Sequence, residues 1–199
     1  MKSDGRRSDA FLDGNELGTC LTVHDFVPVE LPLDAVVGAF AHFITEDRIA
    51  RLVGEAWDRE RSWIRDGGVG GADADIDISG PTPSGVVVQL GEQRSRRDAA
   101  IMSITWAADE GWVPPLYADI ELVDFGPGRT HLHVLGNSQL RSTTKLFTRR
   151  ASLEHRLAVS LVRQVLTDLA NLLAAANADA IAVDRHLVAR RIVEPVEEP

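Results

Sequence analysis

Apolar residues recur through the last third of the chain at three- and four-residue steps. Leu153, Leu157, Leu161, Val165, Leu169 and Leu172 form one stripe, and Leu173 and Ala176 widen it. That is the 3.6-residue period of an amphipathic helix. Arg149, Arg156, Arg163 and Asn171 fall largely off the stripe, and no proline or glycine interrupts residues 148–177. A helix of about 28 residues is roughly 42 Å long. That exceeds the diameter of a small domain, so the helix needs a long partner surface.

The preceding residues supply one. Residues 19–29 carry Leu21, Val23, Phe26, Val27 and Val29 and predict a first strand, with Pro28 marking an edge or an exit. Val36, Val37, Phe40 and Phe43 have helical spacing, which predicts a short helix over residues 32–42. Thr45 reads as the N-cap of a second helix, with Glu46 and Asp47 in its first turn. Ile49, Leu52, Val53, Ala56 and Trp57 form its apolar face, and Trp63 and Ile64 continue it up to the glycines of residues 67–71. Then the period falls to two. Strands are expected over residues 73–79, 86–93, 99–108, 116–125 and 130–135. Gly126-Pro127-Gly128 joins the last two as a hairpin. In the strand over 99–108, Met102, Ile104 and Trp106 share one face, and Ile101, Ser103 and Thr105 the other. Residues 1–17 are expected to be disordered, residues 18–178 to form one domain, and residues 179–199 to be a partly disordered extension.

Three stretches carry a family resemblance. They are residues 29–37 (VELPLDAVV), residues 118–122 with 128–136 (ADIEL and GRTHLHVLG), and the final helix. Together they resemble the helix-grip fold of the START-like or SRPBCC superfamily, the polyketide cyclase/dehydrase and lipid-transport group. The resemblance covers roughly residues 19–176, and the chain departs from it in a weak second strand and in the residues after Ala176. It implies an α+β fold, with a curved antiparallel sheet wrapped around a long C-terminal helix and two short helices after the first strand. It also implies a hydrophobic small molecule of lipid, polyketide or isoprenoid type, held between the sheet and that helix. Trp57, Met102, Trp106 and Tyr117 would then lie near the groove, with Leu157, Leu161 and Val165 contributed by the helix. Tryptophan and tyrosine offer an apolar body and one polar handle, which suits a pocket. Plain core packing explains the same residues. Two alternatives stand beside ligand binding: a polyketide cyclase or aromatase using the same cavity, and a protein-interaction module without a ligand.

Composition narrows this further. The chain has 199 residues, 44% hydrophobic and 26% charged, enough for one core without covalent staples. A net charge of −9 disfavours nucleic acid and anionic membrane as partners. Cys20 is the one cysteine, so there is neither an internal disulfide nor a multi-thiolate zinc cage, and a reducing, cytoplasmic location is expected. The N-terminus lacks the apolar core of a signal peptide, and no unbroken apolar run reaches the roughly 20 residues of a membrane span. A homodimer is left open.

No motif commits the chain to catalysis. His131 and His133 share a strand face, with Glu121 and Asp119 expected across the hairpin. A divalent metal site and a solvated outer face are both readings of that group, and side-chain alternation favours the face. Asp73, Asp75 and Asp77 begin like a calcium loop, but Ile78 and Ser84 stand where glycine and glutamate are needed. Gly68-Val69-Gly70-Gly71 lacks the third glycine and the helix of a dinucleotide loop. Arg94, Arg96 and Arg97 read as a solvated hairpin tip. His24 and His42 could be polar groups of the pocket, although structural roles are commoner. No catalytic residue, metal or cofactor is expected.

Overall fold

A computed structural model describes residues 20–65, 85–108, 113–139 and 149–193. The expected strand over 73–79, the Asp73–Asp77 run and the glycines at 67–71 lie outside the described residues. In chain order the elements are β1 (Cys20–Val29), α1 (Leu33–Phe43), α2 (Glu46–Arg65), β2 (Val86–Leu90), β3 (Arg94–Ser95), β4 (Ala99–Ala108), β5 (Leu116–Asp124), β6 (Thr130–Gln139) and α3 (Arg149–Val193). The strands form one antiparallel sheet in the order β1-β6-β5-β4-β2, with β3 against β4. The two helices after the first strand and the long C-terminal helix complete the α+β helix-grip arrangement.

Local chemistry sets the boundaries. Proline removes a ladder donor, so Pro28 is tolerable because β1, among the described strands, is an edge strand paired only with β6. The Asp34 carboxylate accepts the Ala35 N–H at 2.9 Å in the first turn of α1. Thr45 Oγ1 accepts the Arg48 N–H at 3.3 Å and caps α2, as its sequence predicts. Gly126 and Gly128 take φ values of +107° and +73° in the β5–β6 turn, a region open to glycine without strain.

Two elements outrun their sequence signals. β6 continues past Leu135 to Gln139, because Gly136 allows β5 and β6 to approach closely there. A Cβ at Gly136 would stand 2.3 Å from both the Ala118 Cβ and the Tyr117 carbonyl oxygen. Helix α3 continues from Asn177 to Val193, giving 45 residues. No helix breaker stands between those positions, and Ala, Leu and Arg there favour the helix. At 1.5 Å per residue α3 is roughly 68 Å long, whereas a ten-residue strand such as β6 spans about 34 Å. The buried part of α3, Leu157 to Ala176, lies on the sheet. By length and composition His155–Ala178 is apolar enough to cross a membrane, since its charges are few and scattered. Half of it is buried in this domain, as befits a core helix.

The core sits between the sheet and the three helices. Val36 and Phe40 of α1, Ile49, Val53, Ala56 and Trp57 of α2, and Leu161, Val165, Leu169 and Leu173 of α3 close over Met102, Ile104, Trp106, Ile120, Leu122, Leu132 and Val134. Beyond that core, Glu46 of α2 accepts the Leu90 N–H at 3.2 Å and ties α2 to β2.

Candidate functional site

Strand alternation and register decide which residues can reach the groove. Trp106 pairs with Leu116 across β4 and β5, and Met102 pairs with Ile120. All four are buried, so they belong to the inner face. Trp57, Met102, Trp106, Leu161 and Val165 join one apolar cluster, and Leu157 is buried on the same helix. Trp57 is 1% exposed, Trp106 2% and Leu161 0%. Trp106 donates its indole N–H to the Pro114 carbonyl at 3.0 Å, so its polar handle is spent on the strand entry.

Tyr117 is the exception. It pairs with Thr105 and Asn137, one step out of phase with Leu116, and it is only half-buried. The odd-numbered residues of β5 from Tyr117 to Val123 face away from α3, so Tyr117 does not join the groove. An aromatic residue in a strand predicts burial by its type, but the period of two sends it to the other side.

Polar groups bind the helix to its neighbours. Arg163 of α3 places Nε 3.1 Å from Oδ2 of Asp25 on β1, and the Asp25 Oδ1 also accepts the Phe26 N–H at 2.8 Å. On the α2 side, Ser160 and Gln164 donate to the buried Glu60 carboxylate. Arg59 donates to Gln164 Oε1 at 3.0 Å and pairs with Asp168. Ser160, Gln164 and Asp168 are four residues apart, so they line one face of α3.

Among the described residues, Ser138 and His155 each have a buried polar atom that lacks such a partner. Ser138 sits on the inner face of β6, in register with Leu116 and Leu21, and is 1% exposed. Its Oγ and the Nδ1 of His155 on α3 are buried without a hydrogen bond among the described residues. Sequence reading passes over both. Ser138 lies in a Gly-Asn-Ser stretch that looks like a turn, and only the full length of β6 gives it an inward parity. His155 carries no distinguishing signal.

The histidines lie on the other side of the sheet. His131 and His133 face outward, and Glu121 stands directly across from His133 in the register. His24 and Phe26 of β1 join them, with Phe26 ring-stacked at 5.3 Å from His131 and 5.4 Å from His133. Phe125 stacks on His131 at 3.8 Å. Burial holds the His133 imidazole below its usual pKa, the His131 and His24 charges push the same way, and Glu121 opposes them. Among the described residues no three His, Cys, Asp or Glu side chains converge as a metal site. The basic tip is an exposed hairpin, in which the Arg96 N–H bonds to the Ala99 carbonyl at 2.7 Å. His42, at the end of α1, packs edge-on against Phe43.

No family model and no curated protein matches the chain. Among solved structures, the chain is similar to the Mll3558 protein from Rhizobium loti, at 13% identity and a TM-score of 0.36, over 75% of this chain and 96% of that one. It is similar to the Zhui aromatase/cyclase from Streptomyces sp. R1128, at 14% identity and a TM-score of 0.29, over 79% and 94%. It is similar to norcoclaurine synthase from Thalictrum flavum, at 10% identity and a TM-score of 0.29, over 82% and 96%. At these values the likeness carries nothing about function to this chain.

Proposed function

We propose that this chain binds a hydrophobic small molecule, of lipid, polyketide or isoprenoid type, between the inner face of the sheet and α3. The reading rests on two buried polar atoms that have no hydrogen bond among the described residues, Ser138 Oγ on the inner face of β6 and His155 Nδ1 on α3. Buried polar groups without partners are rare and call for an explanation. A mostly apolar site with a few polar groups that fix orientation is the common form of a small-molecule pocket. Trp57, Met102, Trp106, Leu157, Leu161 and Val165 supply the apolar surface around such a molecule. Membership of the START-like superfamily is part of the same proposal and rests on the order of the elements.

The packing sets a condition on binding. Leu161, Trp57 and Trp106 leave almost no accessible surface, so a ligand reaches them only if α3 shifts away from the sheet. Affinity then comes from desolvating the ligand, at about 25 cal/mol per Å² of apolar surface, less the cost of moving the helix.

The test is native mass spectrometry of the protein as purified, followed by titration with a fluorescent probe that has an apolar body and one hydrogen-bonding group. A co-purified apolar compound, and probe affinity that falls roughly 2–10-fold in Ser138→Ala or His155→Phe, supports the reading; that is the worth of one hydrogen bond. A protein that carries no compound and binds no probe refutes it. Incubation with a polyketide mimic and product analysis would separate a cyclase from a carrier.

A further inference from the structure

Five large hydrophobic side chains among the described residues are exposed: Phe26 at 46%, Trp63 at 53%, Val87 at 36%, Phe125 at 60% and Leu135 at 53%. Phe26, Phe125 and Leu135 gather on or beside the outer face of β1, β6 and β5, around His24, His131 and His133. Single exposed hydrophobics are normal, whereas a contiguous cluster marks a contact surface. We propose that this outer face is the contact surface between two copies of the chain.

Size and charge select a second copy as the occupant. β1, β6, β5 and β4 are 10, 10, 9 and 10 residues long. At about 3.4 Å per residue and 4.8 Å between strands, their face measures roughly 34 by 19 Å, or about 650 Å². A standard stable interface takes about 800 Å² from each partner, so the face with its side-chain relief is of the right size. The chain carries a net charge of −9, so two copies repel through most of their surface. On this face, however, the titratable groups around the rings are His24, His131, His133, Glu121 and Asp119, with the mutually neutralised Arg129–Glu30 pair beside Phe125, and Asp119 already accepts the Ser103 hydroxyl at 2.8 Å. A two-fold axis through the patch can set the Glu121 of one copy against the imidazoles of the other, and the phenylalanine rings against each other. A cationic partner would be drawn instead to the acidic remainder of the surface.

The experiment is sedimentation velocity of the full chain at micromolar concentration and pH 8. A dimer is expected. Phe26→Ser combined with Phe125→Ser and Leu135→Ser should weaken it at least 30-fold and leave circular dichroism and cooperative melting intact, since all three side chains are exposed. Trp63→Ser, an equally exposed change on α2, should leave the dimer in place. A wild-type monomer overturns the proposal, whether or not it captures a different protein. So does a dimer that survives the triple substitution, or one that Trp63→Ser dissociates.

Discussion

Arg163 and Asp25 form a lopsided pair: the arginine side chain is 68% exposed, while the carboxylate it grips is 9% exposed. The two variants should therefore differ. Arg163→Met leaves a buried carboxylate held by the Phe26 N–H, at a cost of about 1–3 kcal/mol. Asp25→Asn leaves no buried charge, and the freed arginine returns to water, so it should cost less. Urea unfolding of both single variants and the double variant tests this. A larger loss in Asp25→Asn would be inconsistent with the account.

Leu161 is fully buried at the middle of α3. Its neighbours fill the space around it, so Leu161→Ala should cost about 3–5 kcal/mol, the upper part of the range for a core leucine. The variant should also bind an apolar probe more readily than the wild type, because it opens a void under the helix. A loss below about 2 kcal/mol would mean that the site already contains free volume.

The same helix marks the limits of what the sequence discloses. The stripe from Leu157 to Leu173 is legible because every third or fourth residue is apolar, and the packing follows it. The inner face of β4 is legible for the same kind of reason: Met102, Ile104 and Trp106 alternate with smaller polar residues. Thr45 announces its cap by its type and its acidic followers. Tyr117 misleads because its chemistry and its parity disagree. Gly136 looks like a break, yet it serves a close approach that no single strand reveals. Phe26 resembles a core residue, and only the pairing of β1 with β6 turns it outward; Phe125 stands just past β5, in the turn to β6. Ser138 and His155 become notable only once the fold shows Oγ of one and Nδ1 of the other to be buried.

Gly136→Ala tests that close approach. The new methyl group would meet the Ala118 Cβ and the Tyr117 carbonyl at 2.3 Å, and the carbonyl belongs to the rigid backbone of a central strand. A loss of about 1–3 kcal/mol is expected, with the strands forced apart. Gly38→Ala meets nothing within 4 Å and lies in α1, so it should be neutral or stabilising. Thermal melts of the two variants should move in opposite directions or differ clearly in size.

The pH dependence follows from His133. Its folded pKa lies below the 6.5 of the unfolded chain, so the unfolded chain takes up the proton first as pH falls. Stability is therefore complete above about pH 6.5 and declines as the pH falls towards the folded value. His133→Gln should remove that part of the decline between pH 7.5 and 5. An unchanged slope of unfolding free energy against pH in the variant would show that His133 is not its source.

The order of the strands has a temporal side. Val29 of β1 meets Thr130 of β6, and the Thr130 hydroxyl bonds to the Leu31 carbonyl across 99 positions of sequence. Among the described strands, β1 thus leaves the ribosome first and has no sheet partner until β6 follows. At the usual 5–20 residues per second the wait is roughly 5–20 s, and the closing of so long a loop slows folding further. During that interval Val23 and Val29, fully covered in the finished domain, are without their ladder. Chaperone demand should therefore be greatest for nascent chains that end before Thr130, and it should fall sharply once β6 and α3 have emerged.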